Sequence, residues 1–171
     1  MFNGLLDHLN RRSGGRILMP EFCRWLAFAV GVNDEASDIS DELQEYLYRN
    51  FDYRTVMLFP SNYLGQLLCE SAYGKRRGFY PTPMDLCRLN WMITKGGGNG
   101  RNSDERADLR RRSAYDPAVG TGRLLLVASN DCLRLYGQEI DYLCCLITKI
   151  NLAFYAPWSA IPASFFDEGC S

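Results

Sequence analysis

One short stretch constrains this chain more than any other. Tyr115-Asp116-Pro117-Ala118-Val119-Gly120-Thr121-Gly122 precedes an apolar run from Leu124 to Ala128, and Gly137-Gln138-Glu139-Ile140-Asp141 follows. The order reads as strand, glycine turn, helix, second strand and acidic strand end. Gly120 and Gly122 allow a sharp turn and a close backbone approach to a ligand. The helix behind them points unpaired N–H groups into the same space. Glu139 lies 17 residues after Gly122, near the spacing at which a second-strand carboxylate reaches ribose hydroxyls in nucleotide-binding α/β folds. The combination suits a cofactor that contains a nucleoside.

Two phosphate-reading turns are excluded. A dinucleotide fingerprint needs a third glycine where Leu125 stands, and a P-loop needs Gly-Lys-Ser/Thr where Gly122 is followed by Arg123. Asp116-Pro117-Ala118-Val119-Gly120-Thr121-Gly122 instead resembles the S-adenosylmethionine loop of DNA adenine-N6 methyltransferases (the N-6 DNA methylase family), including the methylase subunits of type I restriction-modification systems. Two further pieces follow that family's order. Upstream, Gly78-Phe79-Tyr80-Pro81-Thr82-Pro83 resembles its aromatic-Thr-Pro segment, which closes over the methionine end of the cofactor. Downstream, Gly137 to Asp141, with Lys149-Ile150-Asn151-Leu152 about a helix later, resembles its second cofactor motif. The resemblance covers roughly residues 78–155.

It implies an α/β architecture: an incomplete Rossmann-like, S-adenosylmethionine-dependent methyltransferase fold of parallel strands with crossover helices, preceded by a helical N-terminal region. The expected division is 1–74 for the helical region and 75–171 for a partial cofactor domain, with a flexible Gly/Arg-rich loop at 96–113. The family reaction is methyl transfer from S-adenosyl-L-methionine to the exocyclic amine of adenine in DNA. Carried over residue by residue, backbone around Ala118, Gly120, Thr121 and Gly122 surrounds the cofactor, and Asp116 meets the methionine ammonium. Glu139 accepts from both ribose hydroxyls, and Ile140 packs on the adenine. Tyr80, Thr82 and Pro83 form the closing segment, with Thr82 at the methionine carboxylate.

The departure matters as much as the match. Family enzymes carry Asn/Asp-Pro-Pro-Tyr/Phe, which holds the adenine amine and stacks on the flipped base; no such tetrapeptide occurs in this sequence. The chain runs only 32 residues past Glu139. It is expected to be the cofactor-binding portion of such a methyltransferase, inactive alone. Three accounts compete: a piece of a larger enzyme, a short relative that binds without methylating, or a half completed by a second chain. The alternative function is a non-enzymatic DNA- or partner-binding module on a degenerate methyltransferase fold. A small-molecule methyltransferase fits the Thr-Pro and Asp-Pro-Ala-x-Gly-Thr-Gly pairing less well. A short open sheet leaves exposed edges, which makes a partner or homodimer an expectation.

Charge is uneven although the net is only -1. Residues 34–52 hold seven acids against Arg49, and residues 75–112 hold ten Lys or Arg against four acids. The basic stretch, with Arg110, Arg111 and Arg112 as candidate phosphate contacts, suits DNA; a solvated loop is the plainer account. Seven cysteines without a C-x-x-C pair, and His8 as the only histidine, argue against a metal site or a disulfide framework. His8 reads as a surface residue near a frayed end. No leader and no apolar run near 18 residues are legible, so a cytoplasmic protein without a membrane span is expected.

Periodicity supplies the helices. Leu5, Leu6 and Leu9 sit at helical spacing. Residues 21–30 follow Pro20 with Phe22, Trp25, Leu26, Ala29 and Val30 on one face. A helix opens at Ser40-Asp41-Glu42 with Leu43, Tyr46 and Leu47 inward, and another, from Tyr63, runs through Ser71 to a stop at Gly74. Residues 84–94 form a helix with Pro83 at its first position and Leu86, Leu89, Met92 and Ile93 inward. In the cofactor unit the expected elements are a strand at 114–115, a helix at 124–133, a strand at 135–140 and a helix from Asp141 to about Tyr155, broken by Pro157 and Pro162. That order predicts a parallel strand pair.

Overall fold

The computed structural model describes residues 19–34, 39–59, 61–96 and 111–159. The expectations for Leu5, Leu6, Leu9, His8, Arg110, Pro162 and most of the 96–113 loop lie outside the described residues. The chain forms two compact units, one reaching Tyr80 and the other running from Pro81 to Ala160.

The first unit is helical. Its elements are α1 (Met19–Ala29), α2 (Asp41–Asn50), α3 (Tyr53–Leu58), α4 (Tyr63–Glu70) and α5 (Ala72–Arg77). Phe22, Trp25 and Leu26 are buried on α1 as the spacing predicts, whereas Ala29 is exposed. Trp25 ties the unit together: its ring meets Phe22 at 6.0 Å, Tyr48 of α2 edge-on at 5.1 Å and Phe51 at 5.9 Å. The expected stop at Gly74 is corrected. Ser71 ends α4, and its Oγ accepts from Gly74 N at 3.0 Å, which starts α5 with Gly74 inside it.

The second unit is mixed. It holds α6 (Met84–Thr94), β1 (Ser113–Asp116), α7 (Arg123–Ala128), β2 (Arg134–Gly137), α8 (Tyr142–Tyr155) and a 3-10 turn at Pro157–Ser159. The strands pair in parallel with Ser113 opposite Arg134 and Asp116 opposite Gly137, as the strand–helix–strand order predicts. The backbone ladder continues past both strands: Gln138 N donates to the Asp116 carbonyl at 2.9 Å and Val119 N to the Gln138 carbonyl at 3.0 Å. Ala114, Val119, Leu125, Ala128, Cys132 and Leu152 form the core, joined by Trp91.

Several boundaries shift. Ser113, assigned to the loop by pattern, opens β1, and Pro83 takes the N-cap position rather than the first turn of α6. α7 stops at Ala128 rather than 133, because Ser129 to Asp131 turn the chain. β2 ends at Gly137, where a Cβ would stand 3.0 Å from Val119 Cβ and 3.1 Å from Leu125 Cδ1. Only glycine lets the turn and α7 pack so closely on that strand end.

The largest correction is the face of α6. Leu86, Leu89, Met92 and Ile93 are each more than half exposed, and Cys87 and Trp91 are the buried residues. The indole decides the orientation. Trp91 Nε1 donates to Asp131 Oδ2 at 2.7 Å, and Lys95 Nζ meets the same oxygen at 2.6 Å. Burying one large ring with its N–H satisfied outweighs an aliphatic stripe that has no facing surface.

Candidate functional site

The glycine turn is built at the carboxyl ends of the two parallel strands. Gly120 (φ 55°) and Gly122 (φ 84°) both adopt the left-handed region, which side chains with a Cβ enter only with strain. At Gly122 a Cβ would also stand 3.1 Å from Thr148 Cγ2. Asp116 Oδ1 accepts from Ala118 N at 3.1 Å, which folds the chain back at Pro117. The turn's carbonyls are held from α8: Thr148 Oγ1 donates to the Gly120 carbonyl at 2.9 Å and Asn151 Nδ2 to the Thr121 carbonyl at 2.8 Å. Both residues are buried polar groups on an otherwise apolar helix, and burial of an amide or hydroxyl demands such partners.

Glu139 meets the turn from β2's end. Its Oε2 accepts from Gly120 N at 2.9 Å, and Oε1 accepts from Ile140 N at 2.8 Å and Asp141 N at 3.1 Å. A carboxylate offers about four acceptor positions, so one remains on Oε2 beside the turn. Asp141 caps α8 by accepting from Cys144 N at 3.1 Å. The neighbouring Cys144 thiol is pushed up to about 12, first by burial and then by the Asp141 and Glu139 carboxylates. It stays protonated and carries no nucleophile.

The aromatic-Thr-Pro segment divides. Thr82 lies beside the helix behind the turn: its carbonyl accepts from Arg123 Nη1, at the start of α7, at 2.9 Å. Pro83 lies exposed at the start of α6. Tyr80 belongs to the first unit and is 88% exposed. Ile140 is fully exposed beside Glu139. The second unit therefore brings together Asp116, Ala118, Gly120, Thr121, Gly122 and Glu139, with Thr82 held to Arg123 behind them. Arg111 and Arg112 are exposed but precede β1, at the opposite end of that strand from the turn.

Sequence reasoning missed Arg123 and Thr148, and it saw Asn151 only as part of a motif. The legible signal was Thr148 and Asn151 three residues apart on an apolar helix. Two tyrosines, Tyr115 and Tyr136, sit opposite each other across the strands, both more than half exposed. Tyr115 Oη bonds to Gln138 Oε1 at 2.7 Å. Among the described residues no group of three His, Cys, Asp or Glu is placed to hold a metal, and no helix is long and apolar enough to cross a membrane. No protein-family model, curated protein or solved structure matches the chain.

Proposed function

We propose that the second unit is the S-adenosylmethionine-binding portion of a DNA adenine-N6 methyltransferase-like protein, Rossmann-like in plan, and that it binds cofactor without methylating on its own. The observation that carries this reading is convergence: the 116–122 turn and Glu139 meet at the carboxyl ends of two parallel strands, and the Thr82 carbonyl bonds to Arg123 directly behind the turn. Ligands of doubly wound α/β sheets bind outside that end. The chemistry fits as well. The turn presents backbone at two left-handed glycines, and Glu139 keeps one acceptor position beside it for a ribose hydroxyl. When bound, the cofactor would supply an activated methyl group; these residues would hold its ribose and its amino-acid end. Adenine in DNA is the acceptor that the family resemblance implies, and the target-base tetrapeptide it requires is absent from the sequence.

Calorimetry with S-adenosylmethionine and S-adenosylhomocysteine tests the proposal. Binding by the wild-type chain that Glu139→Ala removes is the expected result. No binding by the wild type overturns it. Turnover in a DNA methylation assay with the purified chain would overturn the inactive-alone part.

A second reading is a non-enzymatic binding module that keeps a degenerate methyltransferase fold. The observation favouring it is that three of Glu139's acceptor positions already hold backbone N–H groups, so the carboxylate has a structural task without any ligand. Under that reading DNA or protein binding survives Glu139→Ala, and no cofactor binds.

A further inference from the structure

The sheet of the second unit has one packed face and one open face. Side chains alternate between faces along a strand, and the register sorts them. Ala114 and Leu135 point into the core, while Ser113, Tyr115, Arg134 and Tyr136 share the other side. All four of these are exposed. Tyr115 and Tyr136 stand directly opposite each other across the strands, 59% and 55% exposed. Tyr115 Oη donates to Gln138 Oε1 at 2.7 Å, which steadies that ring. Arg134 sits two residues before Tyr136 on the same face, and the exposed Arg111 and Arg112 lead into β1 at that same end of the sheet.

The charge of this face has one sign. Asp116 alternates to the core side with Ala114 and turns its Oδ1 to Ala118 N, and Glu139 is turned onto the Gly120 amide. Among the described residues of the two strands, the open face carries arginine, tyrosine and serine but no acid. Paired aromatic rings with cations at one end have a specific complement. Unpaired bases stack on such rings whatever their identity, and guanidinium groups meet the backbone phosphates. A duplex keeps its base faces stacked inside the helix and has none to give. A second copy of this face brings the same cations and no acids, so docking the two gains no charge complementarity.

We propose that the open sheet face binds single-stranded nucleic acid, with bases stacked on Tyr115 and Tyr136 and phosphates on Arg134 and the arginines before β1. The site uses neither the glycine turn nor Glu139, so it stands or falls apart from the cofactor reading.

Fluorescence anisotropy of the full chain with a labelled oligothymidylate of about twelve nucleotides tests the assignment, with a duplex of equal length beside it. The wild type should bind the single strand in preference to the duplex, and more weakly as salt rises. Tyr136→Ala, an exposed substitution that leaves the core intact, should weaken binding by about fivefold or more, the loss of one stacked base. Tyr136→Phe keeps the ring and should stay within about twofold. Arg134→Gln should flatten the log–log salt slope by about 0.7, one phosphate contact on a single strand. No binding by the wild type overturns the proposal, as does equal affinity for the duplex. Wild-type affinity in Tyr136→Ala also overturns it, since cations elsewhere, such as Lys75, Arg76 and Arg77, then hold the strand. So does equal loss in Tyr136→Ala and Tyr136→Phe, which would assign the contact to the hydroxyl rather than to stacking. A face that self-associates through Tyr136 and leaves the oligonucleotide unbound belongs to a second copy, and the proposal fails.

Discussion

Glu139 accepts three backbone N–H bonds, so its removal has a consequence that needs no ligand. Glu139→Ala should destabilise the ligand-free chain by about 1–3 kcal/mol, the cost of leaving such donors unpaired at a partly buried position, read from urea unfolding. Gly122→Ala should cost about 1–2 kcal/mol for the left-handed backbone alone. The approach to Thr148 adds to that, and the thermal midpoint measures the sum. Cys144 gives a pH signature. Its thiol titrates near 9.0 when unfolded and at about 12 when folded, so the folded state holds the proton more tightly. The stability this contributes is complete below pH 9 and is lost as pH rises toward 12. Unfolding midpoints measured between pH 8 and 11 should fall for the wild type, and Cys144→Ala should flatten the decline. Glu139 was legible as a carboxylate at a strand end; its grip on Gly120 was not, because spacing cannot tell a ligand contact from a backbone one.

α6 shows where pattern reading succeeds and where it stops. Its bounds, Met84–Thr94, follow from periodicity and from Pro83 before it. Its facing does not follow, because two stripes compete: four aliphatics on one side, Cys87 and Trp91 on the other. The winner depends on Asp131, 40 residues away, which accepts from Trp91 and pairs with Lys95. Leu89→Gln and Ile93→Gln should each change stability by under about 0.5 kcal/mol, as exposed substitutions do. Trp91→Ala should cost about 3–5 kcal/mol, and Asp131→Ala about 1–3 kcal/mol through the orphaned indole N–H. Denaturant unfolding of the four variants checks the facing directly. Equal losses at positions 89 and 91 would reverse it. The missed start of α5 has a similar cause, since Ser71 fits both the end of one helix and the cap of the next.

At the scale of the whole molecule, the sheet has two strands among the described residues, and neither has a second neighbour. Tyr115 and Tyr136 lie exposed on it. Among the described residues these edges are unpaired beside exposed aromatic rings, a combination through which chains can pair; if they do, light scattering shows mass rising with concentration, and Tyr136→Lys suppresses the rise. A clean monomer at high concentration counts against it. The parallel pairing was legible because strand, turn, helix and strand follow in order; the strand count was not, since no local pattern encodes what covers an edge. The ties from α8 to the turn bear on the order of assembly. Thr148 and Asn151 grip carbonyls 28 and 30 residues earlier in the chain, so two of the turn's hydrogen bonds form only when the helix beyond it is in place. In pulsed hydrogen exchange during refolding, the Gly120 and Gly122 amides should gain protection together with α8 and never before it. A chain emerging from the ribosome therefore lacks the Asn151 bond to the Thr121 carbonyl until Asn151 is out.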